Sequence, residues 1–414
     1  MLTEYFYPNT FGGSEQSVFY LIQQLLKKHI DASVLTPGYR NPNFTSWRKI
    51  KIHRFYFPLS LESKKYLSPF WYTNPIWYIY TFLVLFRSVK KLQVNIIHVH
   101  SKSFIPAAIL VKYVLNIPVI VTLRDYQTLC PYGLCIKKSR AYQHCSFFNF
   151  LMSEIPEYYQ LYNQRKTLLS WMWTTLTGAY SWFTSFFLRF FINYADRVIC
   201  ISKKQKKIFV SNKIKIFEVI YNTFLFKNKS TFFQSTGRIV YVGRLTHGKG
   251  FDVFFNAINE INKHSRLKVS IVGTGYLKKM LIRSGTPLQS NISYYGQIPY
   301  EKALAVLRRA LLVVIPSRWE EPFGRVALEA LAHGVPIVAS NRGGLPEIVG
   351  KRYGIITFPD EKHFTQAILA ALADIKKFRG FIRNDWSRIV HDFQTYPIEQ
   401  YYRLYQKLFV YEKI

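Results

Sequence analysis

The sequence predicts an α/β protein built as two doubly wound, parallel-sheet domains. Three observations carry that expectation. Short β-branched runs alternate with amphipathic stretches, a segment without periodicity interrupts them near the middle, and 414 residues exceed what one ordinary core accommodates.

From Arg238 onward the alternation is regular. RIVYVG, VSIVGTG, ISYYG, LLVVIPS, PIVAS and YGIITF read as strands, with helices between them. Strands joined by helical crossovers run parallel, and such sheets bind ligands at their carboxyl ends. In the first half, GGSEQSVFYLIQQLLKKH places Val18, Leu21, Ile22, Leu25 and Leu26 on one helical face. ASVLTP, NIIHVH, PVIVTL and RVICIS read as its strands. Val219 to Gly237 has no period and reads as a connection. The chain therefore divides into a first domain over 1–222, a linker over 223–236, a second domain over 237–396 and a terminal helix over 397–414 that packs back toward the first. A cleft between the domains is the expected ligand site.

Two stretches of the first half stand apart. Leu168 to Leu188, LLSWMWTTLTGAYSWFTSFFL, is uncharged for about the length of a bilayer-crossing helix, but threonines, serines and a glycine dilute it. A covered helix, an interfacial helix and a true span are its three readings, with spanning the least favoured. Trp47 to Phe82 mixes aromatic with basic residues, as membrane-facing segments do.

With 49% hydrophobic and 19% charged residues, wholesale disorder is excluded. The formal charge of +33 sets up a field that attracts phosphates, nucleic acid or an anionic membrane. No helix-turn-helix, zinc-finger or RNP pattern occurs, so nucleic acid is not the expected partner and an anionic membrane surface is. Cys130, Cys135, Cys145 and Cys200 are few for this length and fit a reducing compartment. The first three with His144 could bind zinc, yet their spacing is not the usual paired one. MLTEYFYP lacks the features of a signal peptide. The expected location is cytoplasmic, peripheral on the inner face of the cell membrane. The sequence is silent on oligomeric state.

The chemistry concentrates in two motifs. In RWEEPFGRVALEALAHGVPIVAS, Glu321-Pro322-Phe323-Gly324 forms the loop at the end of LLVVIPS, and Glu329 sits in the helix that follows. Carboxylates do not bind phosphate, so a ligand held by Glu321 and Glu329 must offer hydroxyls, as a sugar nucleotide does. In YVGRLTHGKGFDVFFNAI, Arg244 and Lys249 at a strand end suit a diphosphate. Ordinary solvated surface charge is the competing reading for each pair.

These motifs, G-R-L-x-x-x-K-G followed by E-x7-E, resemble those of the retaining glycosyltransferases of family 4, which have the GT-B fold. The resemblance runs from FYPNTFGGSEQ through HVH, ADRVICIS and VIYN to YYRLYQKL. It implies a sugar moved from a nucleoside diphosphate to a hydroxyl of a glycan or lipid-linked acceptor, with retained anomeric configuration. It also implies that Arg244 and Lys249 hold the diphosphate, Glu329 the ribose and Glu321 the transferred sugar. Glu321, Arg244 and Lys249 are the catalytic candidates. The donor-binding set adds Gly12 and Gly13 of the first domain, then Gly273, Gly275, Gly296, Phe323, Gly324 and Arg325 of the second. No Asp-x-Asp occurs, so activity without a divalent metal or other cofactor is expected. A nucleotide-sugar epimerase or a phosphorylase on the same fold is the alternative, since fold does not fix function.

The chain departs from the family in two places. Arg124 stands where relatives carry a histidine near the acceptor, leaving His100, Arg124 and Asp125 as acceptor-side candidates, with Arg124 binding phosphate or pairing with Asp125. His98 and His100 are expected at a strand end facing the cleft, more often structural than basic catalysts. Only Met1 and Leu2 precede Thr3 and Glu4, so either the first strand is short or the start lies upstream.

Overall fold

The computed structural model describes residues 1–8, 12–39, 45–57, 74–133, 146–162, 167–226, 235–282 and 291–411. The first sheet comprises β1 (Ser33–Pro37), β2 (Ser46–Trp47), β3 (Ile50–Phe55), β4 (Ile97–Val99), β5 (Val119–Leu123), β6 (Arg197–Cys200) and β7 (Glu218–Val219). Its flanks run in the orders β1-β3-β2 and β4-β5-β6-β7, parallel except for the β2–β3 pair. Leu2 joins them, bridging Leu35 on one side and Val99 on the other. The first strand is thus a single bridged residue at the centre of the sheet.

The second sheet holds β8 (Arg238–Val242), β9 (Lys268–Val272), β10 (Ile292–Gly296), β11 (Leu312–Ile315), β12 (Ile337–Ser340) and β13 (Gly354–Thr357). They run in the order β10-β9-β8-β11-β12-β13, all parallel. Sequence order reverses between β8 and β11, and at such a switch point the two following loops diverge and leave a crevice. Those loops carry Arg244 and Lys249 on one side and Glu321 on the other.

Helices cover the sheets because their apolar residues recur at helical spacing. Phe251–Asn262 turns Phe251, Phe254, Ile258 and Ile261 inward. Truncating one such phenylalanine to alanine costs about 3–5 kcal/mol. The last helix, Tyr396–Tyr411, crosses back to the first domain. There Ile398, Tyr401, Leu404, Tyr405 and Leu408 bury against Leu21, Leu25, Ile120, Ile199 and Ile220.

Two sequence expectations need correction. Within Trp47 to Phe82, Ile50, Ile52 and Phe55 alternate into the core from β3, and Phe57, Trp77 and Tyr78 join them, so these residues are interior, while Ile76 and Ile79 are exposed and residues 58–73 lie outside the described residues. The connection begins as packed structure: Ile220 and Phe224 are buried, and Phe224 joins the second domain's core. Leu168–Ile192 is a helix over its whole length, only partly covered. Among the described residues no helix is long and apolar enough to cross a membrane.

Candidate functional site

After β11 the chain turns through Pro316–Gly324 into the helix Arg325–Leu331, with Gly324 at φ 102° as its N-cap. A left-handed residue there favours glycine, and an added Cβ would also strike Leu345. The turn aims Glu321 at the loop after β8. Glu321 Oε1 accepts from Lys249 Nζ at 2.6 Å and from Ser317 Oγ at 2.6 Å. The ammonium also lies over the Trp319 ring, 4.6 Å from its centroid. Burial alone would raise the Glu321 carboxyl, but Lys249 and Ser317 hold it below the usual range, so it is ionised.

One helical turn and a half further on, Glu329 is buried as well. Its Oε1 accepts from Arg325 Nε and from Tyr300 OH, each at 2.8 Å. Burial keeps its carboxyl above the usual range despite both partners. Arg325 then reaches the first domain, donating from Nη1 to Ser17 Oγ at 3.0 Å and to the Gly13 carbonyl at 3.4 Å. A Cβ on Gly13 would lie 2.5 Å from Arg325 Cδ, so the glycine pair abuts this guanidinium. Gly12 is the N-cap of the first domain's helix Gly13–Lys27 and donates its N–H to Glu15 Oε2 at 2.9 Å.

The Arg244 side chain is exposed, and among the described residues none is hydrogen-bonded or ion-paired to its guanidinium, while its carbonyl accepts from Tyr241 OH at 2.8 Å. Its charge acts on Lys249 and, across the cleft, on Tyr158. The glycines behind it shape its loop. A Cβ on Gly273, which has φ 129°, would sit 1.9 Å from the Gly243 carbonyl oxygen, and one on Gly275 would sit 2.3 Å from that of Leu245. The Gly296 carbonyl accepts from Gly273 N–H at 2.8 Å.

Other expected residues are placed differently. The Phe323 side chain lies in the core against Tyr221 and Phe393 rather than in the cleft. His98 and His100 are both buried: the terminal helix covers His98, whose Nδ1 meets Tyr405 OH at 2.6 Å and Nε2 meets Thr122 Oγ1 at 2.7 Å, and His100 packs against Met1 and Arg124. Burial pushes both imidazoles well below their usual pKa. Arg124 does not pair with Asp125. It spans His100 Nδ1, at 3.0 Å, and Asn222, while Asp125 accepts from Gln127 N–H. Cys130 is buried as a free thiol, and Cys135, His144 and Cys145 lie outside the described residues.

The sequence reading missed four contributors. Trp319 and Ser317 flank Glu321 and were legible only as its neighbours. Tyr300, which starts a helix 29 residues away, carries no local sign of pairing with Glu329. Glu320 is buried beside its namesake but faces the other way, accepting from Gly343 N–H at 2.6 Å and so fixing the Arg342–Gly344 turn against the site.

With that geometry in place, residues 11–224 match the family model described as Glycosyltransferase Family 4, and 223–385 match Glycosyl transferases group 1. An uncharacterised glycosyltransferase of Methanocaldococcus jannaschii is 33% identical over 221 residues, 47% of this chain and 55% of that protein. A GDP-mannose-dependent monoacylated alpha-(1-6)-phosphatidylinositol monomannoside mannosyltransferase of Corynebacterium glutamicum is 29% identical over 155 residues, 36% of this chain and 41% of that one. The chain thus spans about half the length, or less, of these relatives. The Anabaena protein HepE, solved with UDP-glucose, superposes with a TM-score of 0.64 at 17% identity, covering 98% of both chains, which shows a common fold. Two parallel-sheet domains meet at a cleft in the GT-B arrangement, more than half of the sequence matches one family model, and the chain belongs to glycosyltransferase family 4.

Proposed function

We propose that the protein is a retaining glycosyltransferase that moves a hexose-type sugar from a nucleoside diphosphate to a hydroxyl of a glycan or lipid-linked acceptor, in cell-surface polysaccharide or glycolipid synthesis. The observation that carries this reading is a pair of buried ion pairs after β11, Lys249 to Glu321 and Arg325 to Glu329, the second of which also reaches Ser17 of the first domain. Arg325 and Tyr300 both bond Oε1 of Glu329, which leaves Oε2 to accept from a ribose hydroxyl. Glu321, held ionised, accepts from a hexose hydroxyl and is no proton donor.

As the glycosidic bond breaks, negative charge collects on the leaving diphosphate. Arg244, whose exposed guanidinium has no hydrogen bond or ion pair among the described residues, and Lys249, already fixed beside Glu321, stabilise that charge more than they do the ground state. Each such donor is worth ~10²-fold or more in rate. In this reading the two cations do the work that a divalent metal does elsewhere, and the enzyme acts at the cytoplasmic surface of an anionic membrane. The test is transfer from a panel of nucleotide sugars by purified protein, with products identified and Glu321→Gln and Lys249→Ala as controls. Unchanged turnover in both variants removes the site assignment, a free epimer or sugar phosphate as product replaces the reaction, and loss of turnover in a metal chelator overturns metal independence.

A further inference from the structure

The helix Leu168–Ile192 is inside out for a water-exposed surface. Its buried face is Thr174, Gly178, Ser181 and Ser185, with Leu188 and Ile192 only near the end. The opposite stripe, Leu169, Trp173, Leu176, Phe183, Phe187 and Phe190, is exposed, with Leu169 at 80% and Trp173 at 64%. A helix on a water-facing surface turns such residues inward, and monomeric soluble proteins rarely expose so large an apolar patch. The small inward residues let the backbone approach closely: a Cβ on Gly178 would lie 2.5 Å from the Tyr132 hydroxyl.

The neighbouring helices extend the face. Ile105–Leu115 packs against both this helix and Pro75–Leu92, and exposes Leu110, Tyr113 and Val114. On Pro75–Leu92 one exposed stripe runs Ile76, Ile79, Leu83, Arg87, Lys90, apolar at one end and basic at the other. The three helices contain no acidic residue and carry Arg87, Lys90, Lys91, Lys112 and Arg189.

We propose that this three-helix face docks the first domain onto an anionic lipid bilayer, with Leu168–Ile192 lying in the membrane plane. Apolar burial supplies affinity at roughly 25 cal/mol per Å², and the exposed Arg87 and Lys90 at its edge select anionic headgroups, whereas Lys112 is already paired with Asp196 at 2.8 Å. The face adjoins the cleft. Ser185 Oγ donates to the Gln127 carbonyl at 3.1 Å, and Tyr132 OH donates to the Thr174 carbonyl at 3.4 Å, so the helix holds the loop that follows β5 at the sheet's carboxyl edge. An acceptor whose lipid anchor stays in the bilayer therefore presents its head group beside that loop. This last step rests on the glycosyltransferase reading; the docking surface does not.

Flotation of the full-length protein tests the proposal, using vesicles of phosphatidylcholine with phosphatidylglycerol and vesicles of phosphatidylcholine alone. The wild type should float with the anionic vesicles and far less with the neutral ones. Trp173→Glu with Phe187→Glu should lower the partition coefficient roughly a hundredfold, while UDP or GDP raises its apparent Tm as in wild type. A second variant, Arg87→Glu with Lys90→Glu, leaves the apolar stripe intact and should weaken binding to anionic vesicles alone. Wild type that stays at the bottom of the gradient, or apolar variants that float as well as wild type, overturn the proposal. So does a wild-type dimer that the Trp173 and Phe187 changes dissociate, since the face is then covered by a second copy. Failure of every nucleotide to shift Tm would instead sink the donor-site reading and leave flotation untouched.

Discussion

Arg325 reaches across the cleft to Ser17, Nη1 to Oγ at 3.0 Å, while its Nε holds Glu329 at 2.8 Å. The same guanidinium thus fixes the Glu329 carboxylate, proposed here to accept from the ribose, and links the two domains. Arg325→Ala leaves a buried carboxylate without its ion-pair partner and should cost about 3–5 kcal/mol in denaturant unfolding. Ser17→Ala removes one hydrogen bond and should cost about 1 kcal/mol. Equal losses would show that the bridge, not the ion pair, dominates.

Gly13→Ala sets a methyl group against Arg325 Cδ, which can swing away but then leaves Ser17 and Glu329. The expected outcome is a rise in donor KM of roughly tenfold, equivalent to about 1.4 kcal/mol, with a fall in Tm smaller than that of Arg325→Ala. A fall in Tm with donor KM unchanged would place the role of Gly13 in folding.

Lys249→Met removes the charge that opposes burial at Glu321. The carboxyl must then rise toward and beyond its ordinary value, so the acid limb of kcat/KM against pH should move to higher pH. The absolute rate should fall ~10²-fold. A lower rate with an unmoved acid limb would separate Lys249 from Glu321 in function.

His98 and His100 are buried as neutral rings against Arg124 and Tyr405, and their folded pKa values lie well below 6.5. The unfolded chain binds protons that the native state refuses, so their contribution is fully present above about pH 6.5 and is lost as pH falls through the folded values. Stability should decline on acidification by up to about 1.4 kcal/mol per pH unit for each proton. His98→Gln, measured by denaturant unfolding between pH 7 and pH 5, should flatten that slope.

The second domain was legible because its strands are short β-branched runs whose fates are local, and because Arg244, Lys249, Glu321 and Glu329 sit at fixed offsets from strand ends. Residues whose partners are distant in sequence were not. Nothing near Tyr300 announces Glu329, and nothing in HVH announces that Tyr405 would cover it. The alternation of Ile50, Ile52 and Phe55 was present in KIKIHRF, but the surrounding aromatic and basic residues suggested a surface instead. For Leu168–Ile192 the sequence supplied the helix, while only the fold revealed which side faces out.

The helix Tyr396–Tyr411 has a consequence for how the chain is made. Domains generally fold as they emerge from the ribosome, amino-terminal first. Here the layer over Leu21, Leu25 and Ile120 stays open until residues from Ile398 to Leu408 arrive. The domain translated first therefore closes its apolar layer only after the second domain has been made.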